Sequence, residues 1–352
     1  MHEPDRPPRM PIRAPARRDW LAQVLRLGAA GSIALALPPL AGCARDEPLL
    51  RLASNVWPGY ALVHAAQELG RLDARRMRLI EMPAASDVLQ ALAAGTVEAG
   101  ALTLDELLAA RADGLDLVAV LVFDESRGGD AVVARPGVRD LADLAGRRIG
   151  VEQSAVGALV LHAALRSAGL RLEQVEPVVM TVAEHLSAWR EYQVDALVSF
   201  EPVVSQAIAL GGKRLFDSRS MPGAIVDVLA VRREVLARHP VGLRRIVSAH
   251  FEMLARWQQA DARLLDSLQA QLALSPAELK QAYEGLFLPD LVANRQWLGG
   301  SAPLLQASAE SLVEIMQMSH MLPRRPPLDG LSSVEALPQT LPSADADRGA
   351  ST

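Results

Sequence analysis

The chain has 352 residues, half of them apolar, with 36 Lys and Arg against 41 Asp and Glu and a formal net charge of −5. That balance, with no basic stripe interleaved with aromatics, argues against a nucleic-acid partner. Cys43 is the only cysteine, which excludes a disulfide or a cysteine-rich metal site within the chain; with no His-x-x-x-His or His-Glu-x-x-His spacing either, neither metal nor other cofactor is expected.

Residues 1–43 read as an export signal and not as a folded domain. "RPPRMPIRAPARRDW" is basic and Pro-rich, and "LRLGAAGSIALALPPLAGC" is apolar and ends in small residues, the order of a charged n-region, an apolar h-region and a cleavage site. "LAGC", Leu40 to Cys43, resembles a bacterial lipobox. That makes Cys43 the lipidated first residue of an exported protein held at a membrane of the cell envelope. "RRDWL", Arg17 to Leu21, resembles a twin-arginine export motif. Beyond this segment no apolar run has the length of an ordinary membrane span.

From Leu49 onward, short apolar runs alternate with helical stretches. "LLRLA", "RMRLIEM", "AGALT", "LVAVLVF", "RRIGV", "VEPVVM" and "DALVSF" read as strands, with "SDVLQALAAG", "LDELLAARADG" and "VGALVLHAALRSAG" between them as helices. Such alternation predicts an α/β protein with parallel sheets covered on both faces. An internal repeat divides it. "PGYALVHAAQELG" from Pro58 matches "VGALVLHAALRSAG" from Val156, aligning Gly59 with Gly157 and His64 with His162. "TVEAGALTLDE" from Thr96 matches "QVDALVSFEP" from Gln193, aligning Thr103 with Ser199 and Asp105 with Glu201. Two lobes of one local plan follow: strand, turn, helix, then a later strand ending in a hydroxyl and an acid.

Two similar extended runs, "DAVVARPGV" and "DVLAVRREV", are placed to carry the chain between lobes. Lobe one is then 47–129 plus 228–322 and lobe two 130–227. The late part of lobe one is helical. Leu243, Ile246, Val247, Phe251, Leu254 and Trp257 keep a helical period, with Trp257 in the core, and "SPAE" from Ser275 is a capping-box start. The Pro-, Ser- and Asp-rich stretch 323–352 reads as a disordered tail.

In open parallel sheets ligands bind beyond the carboxyl ends of the strands. Both lobes present those ends to one cleft, and this explains an unusual turn, "SNVWPGY". Trp57 and Tyr60 stand where the first strand gives way to its helix, at the cleft rim, as exposed rings for a ligand to cover.

Several segments are familiar together: "NVWPGY", "DLAGRRIGVEQSAVG", "VDALVSFEPVVSQAIALGGKRLFDS" and "PGAIVDVLAVRREVLARHP". They resemble the solute-binding proteins of bacterial ABC importers in the nitrate/sulfonate/taurine class, which also contains binders of thiamine pyrimidine precursors. The resemblance implies a periplasmic-binding-protein type II fold, with two α/β lobes around a cleft and a two-stranded hinge. It also implies capture of a small solute by lobe closure and delivery to a membrane permease driven by a cytoplasmic ATPase, by a monomer anchored through Cys43.

The candidate ligand contacts follow from this plan. Ser154 can cap the helix near Ala155, where the N–H groups of Val156 and Gly157 can cradle an anion. Thr103 and Ser199 end their strands at the cleft. Asp105 and Glu201 follow them, either to touch ligand or to cap the helices that begin there. Asp130 and Asp227 sit near the crossings. Acids without nearby Lys or Arg disfavour a bare anion such as nitrate; a zwitterionic aminosulfonate or an aminopyrimidine stacked on Trp57 suits them better. No Gly-x-Ser-x-Gly elbow or Ser-His-acid set points to an enzyme. A sensor subunit with the same cleft is the other alternative.

Overall fold

The computed structural model describes residues 47–152 and 155–340. The export signal with Cys43, Ser154 and the stretch 341–352 lie outside the described residues. The elements run β1 (Leu50–Ser54), α1 (Pro58–Glu68), β2 (Met77–Glu81), α2 (Ala85–Ala93), β3 (Ala99–Thr103), α3 (Leu104–Ala112), β4 (Leu117–Ser126), β5 (Asp130–Ala134), β6 (Arg148–Val151), α4 (Ala155–Ser167), β7 (Glu176–Val179) and α5 (Val182–Arg190). They continue with β8 (Ala196–Phe200), α6 (Val203–Ala209), β9 (Lys213–Asp217), β10 (Val226–Arg232), α7 (Arg233–Arg238), α8 (Pro240–Gln258), α9 (Ala262–Leu272), α10 (Pro276–Glu284), β11 (Leu286–Phe287), α11 (Leu291–Leu298) and α12 (Leu304–Met318).

The strands form two sheets, ordered β2-β1-β3-β10-β4-β11 and β7-β6-β8-β5-β9. In the first, β1 pairs in parallel with β2 and β3; in the second, β6 pairs in parallel with β7 and β8. The expectation of wholly parallel sheets needs correcting. β10 is antiparallel to both β3 and β4, and β5 to both β8 and β9. The chain enters each of these strands directly from the other sheet, so it arrives running the opposite way.

The extended runs near residues 130 and 227 are also more than crossings. Every residue of β5, and all of β10 but Arg232, is buried, because each strand is covered on both faces. The crossings are the segments 127–129 and 218–225. They are tied together: the Ser126 and Ser218 hydroxyls lie 2.8 Å apart, and the Gly128 amide donates to Ser218 Oγ at 2.7 Å. The Arg127 and Gly129 amides both donate to the Gly285 carbonyl, which fastens the crossing to the corner after α10.

β4 shows how sequence becomes position. Its ten residues are all buried, apolar through Phe123 and then acidic at Asp124 and Glu125, so one strand passes from the core to the hinge. At α10, Ser275 N donates to Glu278 Oε2 at 2.8 Å and Glu278 N to Ser275 Oγ at 3.4 Å, the expected capping box. Trp257 stacks on Tyr283 with ring centroids 4.1 Å apart.

The disordered tail is corrected over 323–340. There the chain lies along the first lobe, burying Leu331, Ala336 and Leu337. Arg111 donates to the Pro327 and Asp329 carbonyls, Arg233 to Gly330 O, and Arg295 to Pro338 O and Gln339 O. Ser332 bridges to Ala119 beside β4. A composition poor in apolar residues hides this, because the tail is held mostly by polar contacts, including Arg324 to the Ala112 carbonyl and Ser332 Oγ to Leu298 O at 2.8 Å.

Candidate functional site

Pro58 shapes the rim of the cleft. Its fixed φ and missing N–H suit the first helical position of α1. Trp57 before it stays extended, and its carbonyl accepts from the Tyr60 and Ala61 amides. Both rings are thereby held inward and are only 4% exposed, so the expected exposed aromatics are instead walls. Trp57 Nε1 donates to Asp124 Oδ2 at 3.0 Å, and the Tyr60 hydroxyl donates to Asp227 Oδ1. A Cβ on Gly59 would lie 1.8 Å from Asp124 Oδ2, so only glycine lets α1 begin against that carboxyl.

A narrow pocket lies between the lobes. The first lobe lines it with Asn55, Trp57, Tyr60, Thr103, Glu106 and Asp227, and with Ala85 at the start of α2. The second sheet and its helix contribute Asp130, Glu152, Val156 and Phe200. The Trp57 and Phe200 rings meet edge to face across the lobes, with centroids 5.7 Å apart. A wider space of about 890 Å³ adjoins them, with Val56, Met82 and Pro83 on one side and Val182, Leu186 and Val203 on the other.

Of the residues expected at the site, Trp57, Tyr60, Thr103, Asp130, Val156 and Asp227 line this pocket. Gly157 and Ser199 border a smaller adjoining recess of about 210 Å³. The Ser199 hydroxyl is engaged away from it, 2.9 Å from His185 Nδ1 on α5. Glu201 is corrected to a cap: its carboxylate accepts from the Ser205 amide and hydroxyl, both at 3.0 Å, and faces Arg214 at 3.5 Å. Asp105 is fully buried behind the lining, and its neighbour Glu106 takes the expected place. Glu106 Oε2 accepts from the Thr103 amide at 2.9 Å, which pins this side chain at the cleft end of α3.

Sequence reasoning missed Asn55, Ala85, Glu106, Glu152 and Phe200. Two had signals. Thr103-x-x-Glu106 is a capping-box spacing, and Glu152 directly follows the strand "RIGV". Nothing local marks Asn55, Ala85 or Phe200 as pocket residues.

The electrostatics are one-sided. Glu106, Asp130, Glu152 and Asp227 line the pocket, and no Lys, Arg or His does so among the described residues. Burial pushes the Asp130 carboxyl up to about 7. Burial, reinforced by the charge of Asp105, pushes Glu106 up to about 8. Asp124 and Asp227 stand opposite each other on β4 and β10; burial and this mutual repulsion raise Asp227 well above the ordinary carboxyl value. The nearest guanidinium groups are committed elsewhere: Arg127 to Glu125 at 2.7 Å, and Arg214 to Glu201 and Asp217. Chemically, the arrangement offers hydrogen-bond acceptors and aromatic faces.

A family model described as NMT1/THI5 like matches residues 76–251, half of the chain. A taurine-binding periplasmic protein of Escherichia coli K12 is 29% identical over 158 residues, 44% of this chain and 49% of that protein. The chain spans about half to under two thirds of the length of the curated relatives it matches, 49–62% in two of them. The alkanesulfonate-binding protein SsuA from Xanthomonas axonopodis pv. citri, solved with MOPS bound, superposes with a TM-score of 0.70 at 18% identity over 82% of this chain and 99% of that one. The ligand-binding component of an ABC-type import system from Staphylococcus aureus, solved with zinc bound, gives 0.67 at 16% identity over 83% of this chain and 98% of that one. These matches establish the periplasmic-binding-protein fold for residues of this chain in two α/β lobes.

Proposed function

We propose that this chain, which belongs to the NMT1/THI5-like family, is the extracytoplasmic solute-binding component of an ABC importer. It captures a small solute with nitrogen donors by lobe closure and hands it to a membrane permease driven by an ATPase. The observation that carries the reading is one pocket walled by both lobes, with polar atoms on either side waiting for donors. Trp57, Tyr60, Thr103, Asp130, Val156 and Asp227 are the proposed ligand contacts, joined by Glu106, Glu152 and Phe200. The importer role of the matched Staphylococcus aureus structure supports the assignment.

Closure follows from where the contacts sit. Neither lobe alone surrounds a ligand, so a solute that bridges them binds the closed form better and shifts the equilibrium toward it. Micromolar capture requires about 8 kcal/mol. Several hydrogen bonds to buried acceptors together with two ring contacts are of that order, after ordering costs. The hinge crossings at 127–129 and 218–225 are the segments that would bend. Lipidation of Cys43 would hold the mature protein beside its permease.

The test is small-angle scattering of the mature protein with and without solute extracted from the purified protein. The expected result is a smaller radius of gyration and a changed Trp fluorescence on binding. A solute that binds tightly without compaction, or that is chemically converted, would overturn the reading.

A further inference from the structure

We propose that the pocket selects an organic cation, an ammonium, amidinium or guanidinium group held by carboxylates of both lobes beside the Trp57 and Phe200 rings, and rejects sulfonates. The proposal rests on the solute-binding reading above and sharpens its substrate class.

Three atoms of the lining carry it. Glu106 Oε1, Asp130 Oδ2 and Asp227 Oδ2 have no hydrogen-bond partner, and their residues are at least 95% buried. A buried acceptor left unpaired costs about 1–3 kcal/mol, more when charged. A ligand able to donate to several of them recovers that cost. A sulfonate donates nothing and gains no charge pairing from these carboxyls, whereas a cation is paired by each carboxyl it ionises. A cation with two or more N–H groups supplies both donors and charge. The acceptors stand on both sides: Glu106 at the start of α3 and Asp227 on β10 in the first lobe, and Asp130 on β5 in the second. The Trp57 and Phe200 rings line the same pocket, where a cation is favoured beside an aromatic ring.

The titratable groups facing the cavity are Glu106, Asp130, Glu152 and Asp227, with Asp105 and Asp124 behind them and the Tyr60 hydroxyl on Asp227. Burial holds Asp130 near 7 and Glu106 near 8, so near neutrality the empty pocket carries protons that an entering cation displaces.

A matched series isolates charge: benzamidinium, neutral benzamide and anionic benzenesulfonate share a ring and approximate size. Titration calorimetry of the mature protein at pH 7.5, in two buffers of different ionisation enthalpy, is expected to show benzamidinium binding at least about tenfold more tightly than benzamide. It is also expected to release protons, and benzenesulfonate is expected not to bind. Asp130→Asn and Glu106→Gln, each confirmed folded by circular dichroism, are expected to erase most of the benzamidinium advantage over benzamide. Equal binding of benzamidinium and benzamide, or preference for benzenesulfonate, overturns the charge assignment. If benzenesulfonate binds with lobe closure, the importer reading survives that failure. If the protein binds none of the three and closes on no extracted solute, both fail.

Discussion

In the first lobe β2-β1-β3 run parallel and β10 and β4 complete the core of the sheet; in the second, β7-β6-β8 run parallel and β5 and β9 take the matching places. Residues paired by the sequence repeat nonetheless have different roles. Thr103 ends β3 as the N-cap of α3, in a capping box with Glu106, whereas Ser199 in β8 gives its hydroxyl to His185. Gly59 makes room for a carboxyl from β4, whereas a Cβ on Gly157 would meet the Glu152 carbonyl at 2.8 Å. Asp105 is sealed behind Glu106, while Glu201 caps α6. The comparison teaches that a repeat preserves where backbones lie, but each side chain's job is set by what packs beside it. The first lobe supplies most of the pocket and carries the docked tail.

The largest expected effect tests that tail. Ending the chain after residue 322 uncovers the contacts of Leu331 and Leu337 and strips buried Arg111 of two carbonyl acceptors. Two leucines alone make this about 4 kcal/mol of unfolding free energy in a urea titration. An unchanged midpoint would mean that the tail is only laid on the surface.

The aligned glycines come next. Gly59→Ala forces a methyl into the Asp124 carboxylate and Gly157→Ala one into the Glu152 backbone carbonyl, and each is expected to cost about 3 kcal/mol, the upper end for overpacking. A loss well under about 1 kcal/mol at either position would mean that its helix start shifts to make room.

For binding, Trp57→Ala removes a ring wall of the first lobe and the donor to Asp124, and should weaken solute affinity by about tenfold or more, equivalent to 1.4 kcal/mol. Phe200→Ala in the second lobe should cost less, since Phe200 makes no hydrogen bond to the pocket acids.

The pH dependence locates the acids. Asp130, Glu106 and Asp124 have raised values of about 7, about 8 and about 8, so between the unfolded carboxyl range and those values the folded empty protein holds protons that the unfolded chain has lost. Stability from these groups is therefore fully present at low pH and is lost as pH rises through 7 and 8. His64 and His185, lowered to about 4 by burial, act oppositely but only below their unfolded value of 6.5. The melting temperature should thus fall from pH 6.5 to pH 8, and Asp130→Asn should flatten the slope. A flat wild-type profile in that window would contradict the burial of these carboxyls.

The smallest effects fall on the aligned hydroxyls. Ser199→Ala should leave solute affinity unchanged while lowering stability by about 1 kcal/mol, because buried His185 loses its partner. Thr103→Val should lower stability as well, by about 0.5–2 kcal/mol, because α3 loses its N-cap hydroxyl.

Much of the fold was legible because strand and helix periods are local. All seven apolar runs read as strands form strands, and Ser275-Pro276-Ala277-Glu278 starts its helix as its capping chemistry requires. Sheet direction was not legible for β5 and β10: a strand buried on both faces reads the same whichever way it runs. β9, "KRLFD", escaped because its charged ends break the apolar run. At the site, Trp57, Tyr60 and Thr103 could be placed because each stands where a strand ends and a helix begins. Phe200 and Ala85 could not, since only the approach of the opposite lobe turns them into walls.

Neighbours along the chain are enough to specify the two α/β halves, the turn that presents Trp57 and Tyr60, and an excess of acids over bases near the strand ends. Packing in three dimensions selects which of those acids face the pocket. Glu201 and Glu106 are both acids at helix starts; one is held by Ser205 and the other is left with an unpartnered oxygen in the pocket. That choice depends on donors within about 3 Å in space, which spacing along a chain does not encode.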